Sequence, residues 1–383
     1  MSYFNNNKFR NTMNYNREVF HLFYILNKEN NNNKYNNNLV DMSCTSMGLN
    51  VLYNAVRNIF QLDGYRNILS QFGNLLISHP NPKYYYNPVL TIPDKYSYND
   101  SFRQEIVKYD FYTNLSLNIA SSPTVQLCYK SIIANGNWKF KFNKNKTEIG
   151  KFYTDKGDQI SIPIMTCNDS NLILKSYFSK KLNCAFVDLP YENEEYSMLI
   201  IKPENYLNRD QLIDFCKKNF SPQKEEDSQP ILDFYYKRDN YVKYKYFKMP
   251  KFHIQSKYQL DKEELLGCRR NYYENLIPLF GGPKNPPDFS PISKELASNE
   301  EVTLSLDTEF TCDENGVSPP SPAEMGEDKE FIENEDKIYE YNAEEDIKVT
   351  VAKPPLLIKN NFIFAIMRTN DVRIIALGTF TGR

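Results

Sequence analysis

The 383-residue sequence contains only three histidines, seven cysteines and one tryptophan. The histidines, at positions 21, 79 and 253, are too scattered for a convincing catalytic triad or metal site. The cysteines are odd in number and show no C-x-x-C spacing, which argues against a disulfide framework and a zinc site and favours buried, inert thiols. The glycine pair at 281–282 is not a phosphate loop. No motif in the sequence indicates an enzyme, and we expect no catalytic residue, metal or cofactor.

Long apolar runs are also missing. No run approaches the ~18 residues of a membrane helix. The stretch VFHLFYIL (19–26) contains a histidine and lacks the small-residue cleavage site of a signal peptide. We therefore expect a soluble chain without a leader and without a membrane partner.

The chain is nevertheless rich in core-forming residues, with 41% hydrophobic residues, 29 Tyr and 25 Phe. This content supports one large domain or two ordinary ones. The net charge is −2, but residues 324–346 contain eleven acids and two lysines, a local balance of −9 that leaves +7 for the remainder. The acidic segment is either a solvated, disordered loop or a ligand for a basic surface, on a partner or on this protein.

Residues 1–38 form an Asn-rich segment of low complexity, expected to be mostly disordered apart from a short amphipathic helix at 17–28. Residues 39–383 are expected to form a single domain. In it, helical spacing predicts a helix at 43–62. The four prolines and many tyrosines of 78–101 favour an irregular connection.

From residue 124 onward the patterns favour strands. Strands are predicted at 124–133, 184–191, 196–203 and 302–312, with hairpins at 151–165 and 361–380 and helices at 209–220 and 260–267. Strands with scattered helices indicate an α+β fold of mostly antiparallel sheets.

Lysines alternate with aromatic residues in NYVKYKYFKMPKFHI (240–254). The pattern predicts a half-buried strand with Lys243, Lys245 and Lys248 facing water. A platform for single-stranded nucleic acid is the less favoured interpretation.

Several ordered stretches carry a family resemblance. They are ANGNWKFKF (134–142), ISIPIM (160–165), VDLPYENEEYSMLIIKP (187–203), MPKFHIQSKYQLDKEELLGC (249–268), PDFSPIS (287–293), DENG (313–316) and the C-terminal NNFIFAI and ALGTF. Together, in this order across 134–383, they resemble the serpin family of serine protease inhibitors. The first 130 residues match poorly.

The resemblance implies three mostly antiparallel or mixed sheets surrounded by helices, here with a reduced helical N-terminal half. It also implies an exposed reactive-centre-like loop, at 317–355. A serine protease cleaves such a loop and becomes covalently attached, and the severed loop then inserts into the main sheet. Trp138 matches the breach tryptophan of the family. Glu314, Gly316 and Val317 match the start of the loop hinge.

The hinge departs from the family pattern. Inhibitory members have small residues after the glycine, whereas this chain has Pro319, Pro320 and Pro322. Proline has no N–H to donate to a sheet ladder. At ~1–3 kcal/mol for each unsatisfied buried group, three prolines oppose insertion by roughly 3–9 kcal/mol. We therefore expect trapping to be impaired or absent.

Other positions depart as well. The shutter stretch serine-proline-x-serine corresponds to Ser43, Cys44 and Ser46 with cysteine replacing proline, and Leu306 stands where a shutter histidine is usual. The helix that crosses the main sheet is expected to be shortened or lost in 108–124. The scissile position is ambiguous, because counting forward from the hinge and backward from Phe362 disagree. The candidates are Lys329, Lys348, Thr350, Val351 and Lys353.

Two functions follow. The chain is either a protease-directed inhibitor or a non-inhibitory binding protein that uses the acidic loop 324–346 against a basic protein surface. The expected partner is a serine protease or a basic protein surface, and nucleic acid is the least favoured of the three. We expect a monomer. The family resemblance favours an extracellular protein, and the missing leader favours a cytoplasmic one.

Overall fold

The computed structural model describes most of the C-terminal two thirds of the chain and isolated parts of the N-terminal third. The described residues are 16–17, 19–20, 23–24, 26–27, 38–41, 83–107, 116–122, 124–134, 136–154, 158–192, 194–220, 230–236, 240–260, 290, 292–296, 302–317, 349–353 and 355–382. Within these ranges the chain forms three β-sheets with helices packed against them. This is the α+β arrangement of three sheets that the resemblance implied.

The first sheet, here called the main sheet, has five principal strands in the order β3-β2-β4-β14-β13. Two short strands, β5 and β15, lie at one end of it. The strands are β2 (Lys83–Pro93), β3 (Ser116–Ala120), β4 (Val125–Ala134), β5 (Gly136–Asn137), β13 (Phe252–Leu260), β14 (Val302–Cys312) and β15 (Gly316–Val317).

The second sheet has eight strands in the order β1-β19-β18-β10-β9-β8-β11-β16. These are β1 (Asn38–Asp41), β8 (Ile173–Ser179), β9 (Cys184–Pro190), β10 (Tyr196–Pro203), β11 (Tyr241–Tyr244), β16 (Val349–Lys353), β18 (Phe362–Arg368) and β19 (Arg373–Phe380). Its central strands are continuously apolar because both faces are covered. In β10, Leu199 and Ile201 enter one core and Met198 and Ile200 enter the other.

The third sheet has four strands in the order β17-β12-β7-β6. They are β6 (Glu148–Tyr153), β7 (Gln159–Cys167), β12 (Phe247–Pro250) and β17 (Leu356–Leu357). The hairpin expected at 151–165 is thereby confirmed, with strands slightly longer than the sequence indicated.

Three α-helices are fully bounded within the described ranges: α1 (Asp100–Val107), α2 (Arg209–Phe220) and α3 (Pro230–Tyr236). Helix α2 begins with a reciprocal cap, in which Asn208 Oδ1 accepts from Gln211 N and Gln211 Oε1 accepts from Asn208 N. The apolar side of α2 ends at Phe220, and the ring of Phe220 stacks on the ring of Phe20 with centroids 4.8 Å apart. The helix expected at 209–220 is therefore confirmed.

In the N-terminal segment, the described positions between 16 and 27 are helical. Val19, Phe20, Phe23 and Leu26 are buried in the core beneath the main sheet. The expected boundary between residues 38 and 39 falls inside strand β1, which pairs with β19. The helix therefore packs as part of the domain, while the helix expected at 43–62 lies outside the described residues.

Two expectations were wrong. The first is the irregular connection at 78–101, where β2 and the start of α1 are found instead. The neighbouring strand β3 begins to pair with β2 only at Val89. In the described part of the chain, one edge of β2 therefore has no strand partner at Pro88, and the proline is tolerated there. Pro93 is the last residue of the strand.

The second wrong expectation is the single strand at 240–254. This stretch divides into β11, β12 and the start of β13, which belong to three different sheets. Alternation along the chain reports which side chains are buried, but it does not report that the strand changes partner. Lys243 and Lys245 are exposed as expected, and Lys248 reaches Glu148 with Nζ 2.7 Å from Oε1.

Candidate functional site

The hinge begins with a tight turn between β14 and β15. Asp313 N donates to Gly316 O at 2.9 Å, and Asp313 Oδ1 accepts from Asn315 N at 2.8 Å and from Gly316 N at 3.3 Å. A carboxylate that accepts from the residues two and three positions later in this way fixes the turn locally. The sequence DENG therefore reverses the chain and sends it back toward the main sheet.

After this turn, the first hinge residues lie between two strands of the main sheet. Val317 pairs antiparallel with Cys312 of β14 and with Gly136 of β5, and Gly316 pairs with Asn137. Gly316 has φ +151°, and a Cβ at this position would stand 1.9 Å from Gly136 O. Only glycine fits there, since the clash is with backbone.

Glu314 anchors the turn to the body of the protein. Its carboxylate accepts from Lys251 Nζ at 2.8 Å and from Thr147 Oγ1 at 2.7 Å, and its side chain is 7% exposed. Burial by itself raises the pKa of this carboxyl, but the bonds from Lys251 and Thr147 outweigh it, so the pKa is lowered from its usual value. Glu314 is thus a charged residue at neutral pH.

Trp138 connects the turn to the second sheet. Its Nε1 donates to Asp313 O and its backbone N donates to Asn315 O, both at 2.8 Å. The indole is buried and stacks on Tyr191 with centroids 4.8 Å apart and planes 10° apart. The sequence-predicted breach and hinge residues, Trp138 and Glu314 with Gly316, therefore meet at one place.

The main sheet is closed directly below this site. β4 and β14 pair in parallel at nine successive positions, from Val125 opposite Val302 to Ile133 opposite Phe310. A strand inserted between them would replace that ladder. Val317 pairs with Cys312 and Gly136 just beyond the end of this ladder.

The position at which the resemblance predicts a shutter histidine holds an apolar residue in this chain. Leu306 is buried in the core and lies opposite Tyr258 of β13 in register. Tyr258 donates its hydroxyl hydrogen to Asn27 Oδ1 at 3.0 Å, which links the main sheet to the N-terminal helix. Ser43, Cys44 and Ser46 lie outside the described residues, so their proposed shutter role remains a prediction.

The helix expected to be shortened or lost is absent from the described part of 108–124. Residues 116–120 form β3, and only four residues separate β3 from β4. The outward positions of the neighbouring strand, such as Ser305, Asp307 and Glu309, are polar, whereas a covering helix would require apolar side chains. Residues 108–115 are not described.

The scissile candidates fall in two groups. Thr350, Val351 and Lys353 belong to β16, whose backbone pairs in parallel with β11. A residue held in a strand ladder is a poor protease substrate until that pairing opens. The other candidates, Lys329 and Lys348, lie outside the described residues together with Pro319, Pro320 and Pro322.

The described residues contain no group of three or more His, Cys, Asp or Glu side chains that could hold a metal ion. Burial raises the pKa of the Cys184 thiol to about 12 and also raises that of Cys312, where Asp313 and Glu314 add to the effect. Such thiols are poor nucleophiles. None of the helices in the described ranges is long and apolar enough to cross a membrane.

Sequence reasoning did not identify the partners of Glu314. Lys251 lies inside the quoted stretch MPKFHI, but nothing in its spacing indicates a contact 63 residues away. Thr147 gives no sequence signal at all. Both contacts exist because β6, β12 and the hinge turn converge in three dimensions.

Comparison with known proteins gives a consistent picture. The family model described as serpin (serine protease inhibitor) matches residues 114–267. Iripin-8 of Ixodes ricinus is 28% identical over 130 residues, covering 34% of this chain and 29% of its own length. The leukocyte elastase inhibitor of Xenopus tropicalis is 27% identical over 157 residues, covering 40% and 37%. These matches therefore span about a third of the curated relatives.

Solved structures match over nearly the whole chain. Serpin48 of the insect Tenebrio molitor has a TM-score of 0.61 at 13% identity, covering 100% of both chains. Thyroxine-binding globulin in complex with thyroxine has a TM-score of 0.62 at 14% identity, covering 97% of this chain and 99% of its own. The chain therefore has the three-sheet fold of the solved serpin structures, and its segment 114–267 is similar to the serpin family.

Proposed function

We propose that this protein presents its loop 317–355 to serine proteases, and that it binds or is cut there without efficiently trapping the enzyme. The observation that carries the proposal is the position of Gly316 and Val317 between β14 and β5. The chain that would follow them into the sheet contains Pro319, Pro320 and Pro322.

The prolines act against insertion through hydrogen bonding. Insertion would separate the nine-position β4–β14 ladder and place a new strand between the two. Each proline then leaves a neighbouring carbonyl without a donor, for a total of roughly 3–9 kcal/mol. Because trapping depends on insertion before the acyl-enzyme hydrolyses, even slower insertion turns the protein into a substrate.

The test is the thermal unfolding midpoint before and after limited proteolysis within the loop. We expect little change for the native sequence. In the matched variant, small residues replace all three prolines at once: P319A, P320T and P322A. We expect its midpoint to rise by tens of degrees after the same nick, and we expect it to form SDS-resistant protease complexes. A large rise in the native protein would contradict the role given to the prolines.

A second function rests on the acidic segment 324–346, with its local charge balance of −9. It would make the loop a ligand for a basic protein surface, and the protein a non-inhibitory binding protein. Such binding is expected to weaken steeply with salt. A variant with its acids replaced by Gln and Asn, compared with the proline variant, separates this function from protease trapping.

A further inference from the structure

In the described part of the chain, one edge of the four-stranded sheet is incompletely covered. Strand β6 is the end strand, and its inner side pairs with β7 from Glu148 to Tyr153. On its outer side Tyr153 N donates to Lys359 O at 2.7 Å, and Tyr153 forms a parallel bridge with Asn360. Among the described residues, no strand pairs with the rest of this outer edge.

The hydrogen-bonding pattern shows which backbone groups point outward. Tyr153 N–H points away from β7, and the orientation alternates along a strand, so the N–H and C=O of Ile149 and Lys151 point the same way. Pro163, opposite Ile149, agrees with this pattern because it has no N–H. Its carbonyl instead accepts from Lys251 N, on the far side of β7, at 2.9 Å. The open edge therefore offers two donors and two acceptors.

The side chains do little to protect this edge. Ile149 is 70% exposed, the largest exposure among the large hydrophobic side chains of the described residues. Natural edge strands are usually blunted by proline, a bulge or several charges. β6 contains no proline and pairs with β7 without a register shift. Lys151 is the one charged residue of β6 that lies beside Ile149 on this face.

We propose that the outer edge of β6 is a self-association surface, which pairs antiparallel with β6 of a second copy about a twofold axis at Ile149. The two Ile149 side chains then cover each other, and their backbones exchange both hydrogen bonds. Lys151 lies opposite Thr147, and Glu148 lies opposite Gly150. No like charges stand directly opposite each other.

This register is favoured over its neighbour. Centring the axis on Lys151 sets two lysines directly opposite each other, which is destabilising. It also brings Tyr153, whose N–H already bonds Lys359 O, opposite Ile149. Thr147 N, opposite Lys151 in the Ile149-centred pairing, also has a partner, Lys144 O at 3.3 Å, so charge is what selects this pairing.

The pairing is a weak one. A single strand edge covers less than the ~800 Å² per partner of a standard interface, so the dimer forms only at high protein concentration. At such concentrations it replaces the monomer expected from the sequence.

Sedimentation equilibrium of the full chain, from about 1 μM to about 500 μM, tests the surface. We expect reversible dimerisation that Ile149→Arg and Lys151→Pro each weaken at least about tenfold. Lys151→Pro removes an N–H that bonds nothing within the sheet. The control Phe178→Arg, at a 44% exposed position of β8, leaves dimerisation unchanged. A monomer throughout, or a dimer unaffected by both edge variants or equally weakened by the control, overturns the proposal.

Cross-linking tests the register independently of affinity. In a Cys128→Ser background, Ile149→Cys is expected to form a disulfide-linked dimer under mild oxidation, because Cα atoms of such a pair are ~5.5 Å apart. Ser161→Cys, at an exposed position of the adjacent strand β7, is the matched control and should stay unlinked. No link at residue 149, or equal linking at both positions, contradicts the proposed pairing.

Discussion

At the scale of single residues, Glu314 makes the most informative contact of the hinge. Replacing it with glutamine removes the charge that Lys251 and Thr147 satisfy, and we expect the free energy of unfolding at pH 7 to fall by about 1–3 kcal/mol. Urea denaturation measures this. The control Glu148→Gln alters an exposed carboxylate bonded to Lys248 and should change little.

The same contact predicts a pH dependence. The pKa of Glu314 is lowered in the folded state from its usual 4.5, so its contribution is present above that pH and is lost as the pH falls through the lowered folded value. The stability difference between the native protein and Glu314→Gln should therefore shrink in acid. A difference that stays constant from pH 7 to pH 3 would contradict the assignment.

Gly316 gives a second prediction at this scale. In Gly316→Ala the new Cβ meets Gly136 O, so β15 must leave its place between β14 and β5. Trp138, the one tryptophan of the chain, then loses its bonds to Asp313 O and Asn315 O, and its fluorescence should shift to the red. Far-UV circular dichroism should stay the same. Asn315→Ala, an exposed position in the same turn, should leave the fluorescence unchanged.

At the scale of elements, the β4–β14 pairing depends on buried side chains of β14. Leu306→Ala is expected to cost about 2–5 kcal/mol, because a leucine buried in the core leaves a cavity. The preceding residue, Ser305, points to the opposite, partly exposed face, so Ser305→Ala should cost far less. Denaturant midpoints compare the two. Equal losses would mean that the buried side chain of Leu306 does not hold this strand.

The elements also show what the sequence could predict. β14 and α2 were predicted with their observed bounds, because strict alternation and helical spacing with a polar cap are local signals. The strand of 83–93 and the division of 240–254 were missed, because tolerance of Pro88 and exchange of sheet partners depend on neighbours distant in sequence. The same applies to the site, where resemblance indicated Trp138 and Glu314 but no local pattern indicated Thr147.

At the scale of the whole molecule, the N-terminal helix joins parts of the fold that are far apart in sequence. Asn16 Nδ2 donates to Val372 O, Asn16 Oδ1 accepts from Ile374 N, and Asn27 Oδ1 accepts from Tyr258 OH. Four buried apolar side chains of the same helix, Val19, Phe20, Phe23 and Leu26, pack into the core. The Asn-rich segment is thus interrupted by a structural element of the domain.

Truncation distinguishes this helix from the low-complexity sequence around it. Removing residues 1–27 exposes the core that the four side chains cover. The lost burial lowers the free energy of unfolding by about 1.5–3 kcal/mol for each side chain, before the conformational entropy of the removed segment is taken into account. We expect a chain that unfolds at a much lower temperature or fails to fold, as followed by circular dichroism. Removing residues 1–15 keeps every helix contact named above and should leave the midpoint nearly unchanged. If both truncations behave alike and remain stable, the helix contributes nothing to the domain, and its buried position would have to be rejected.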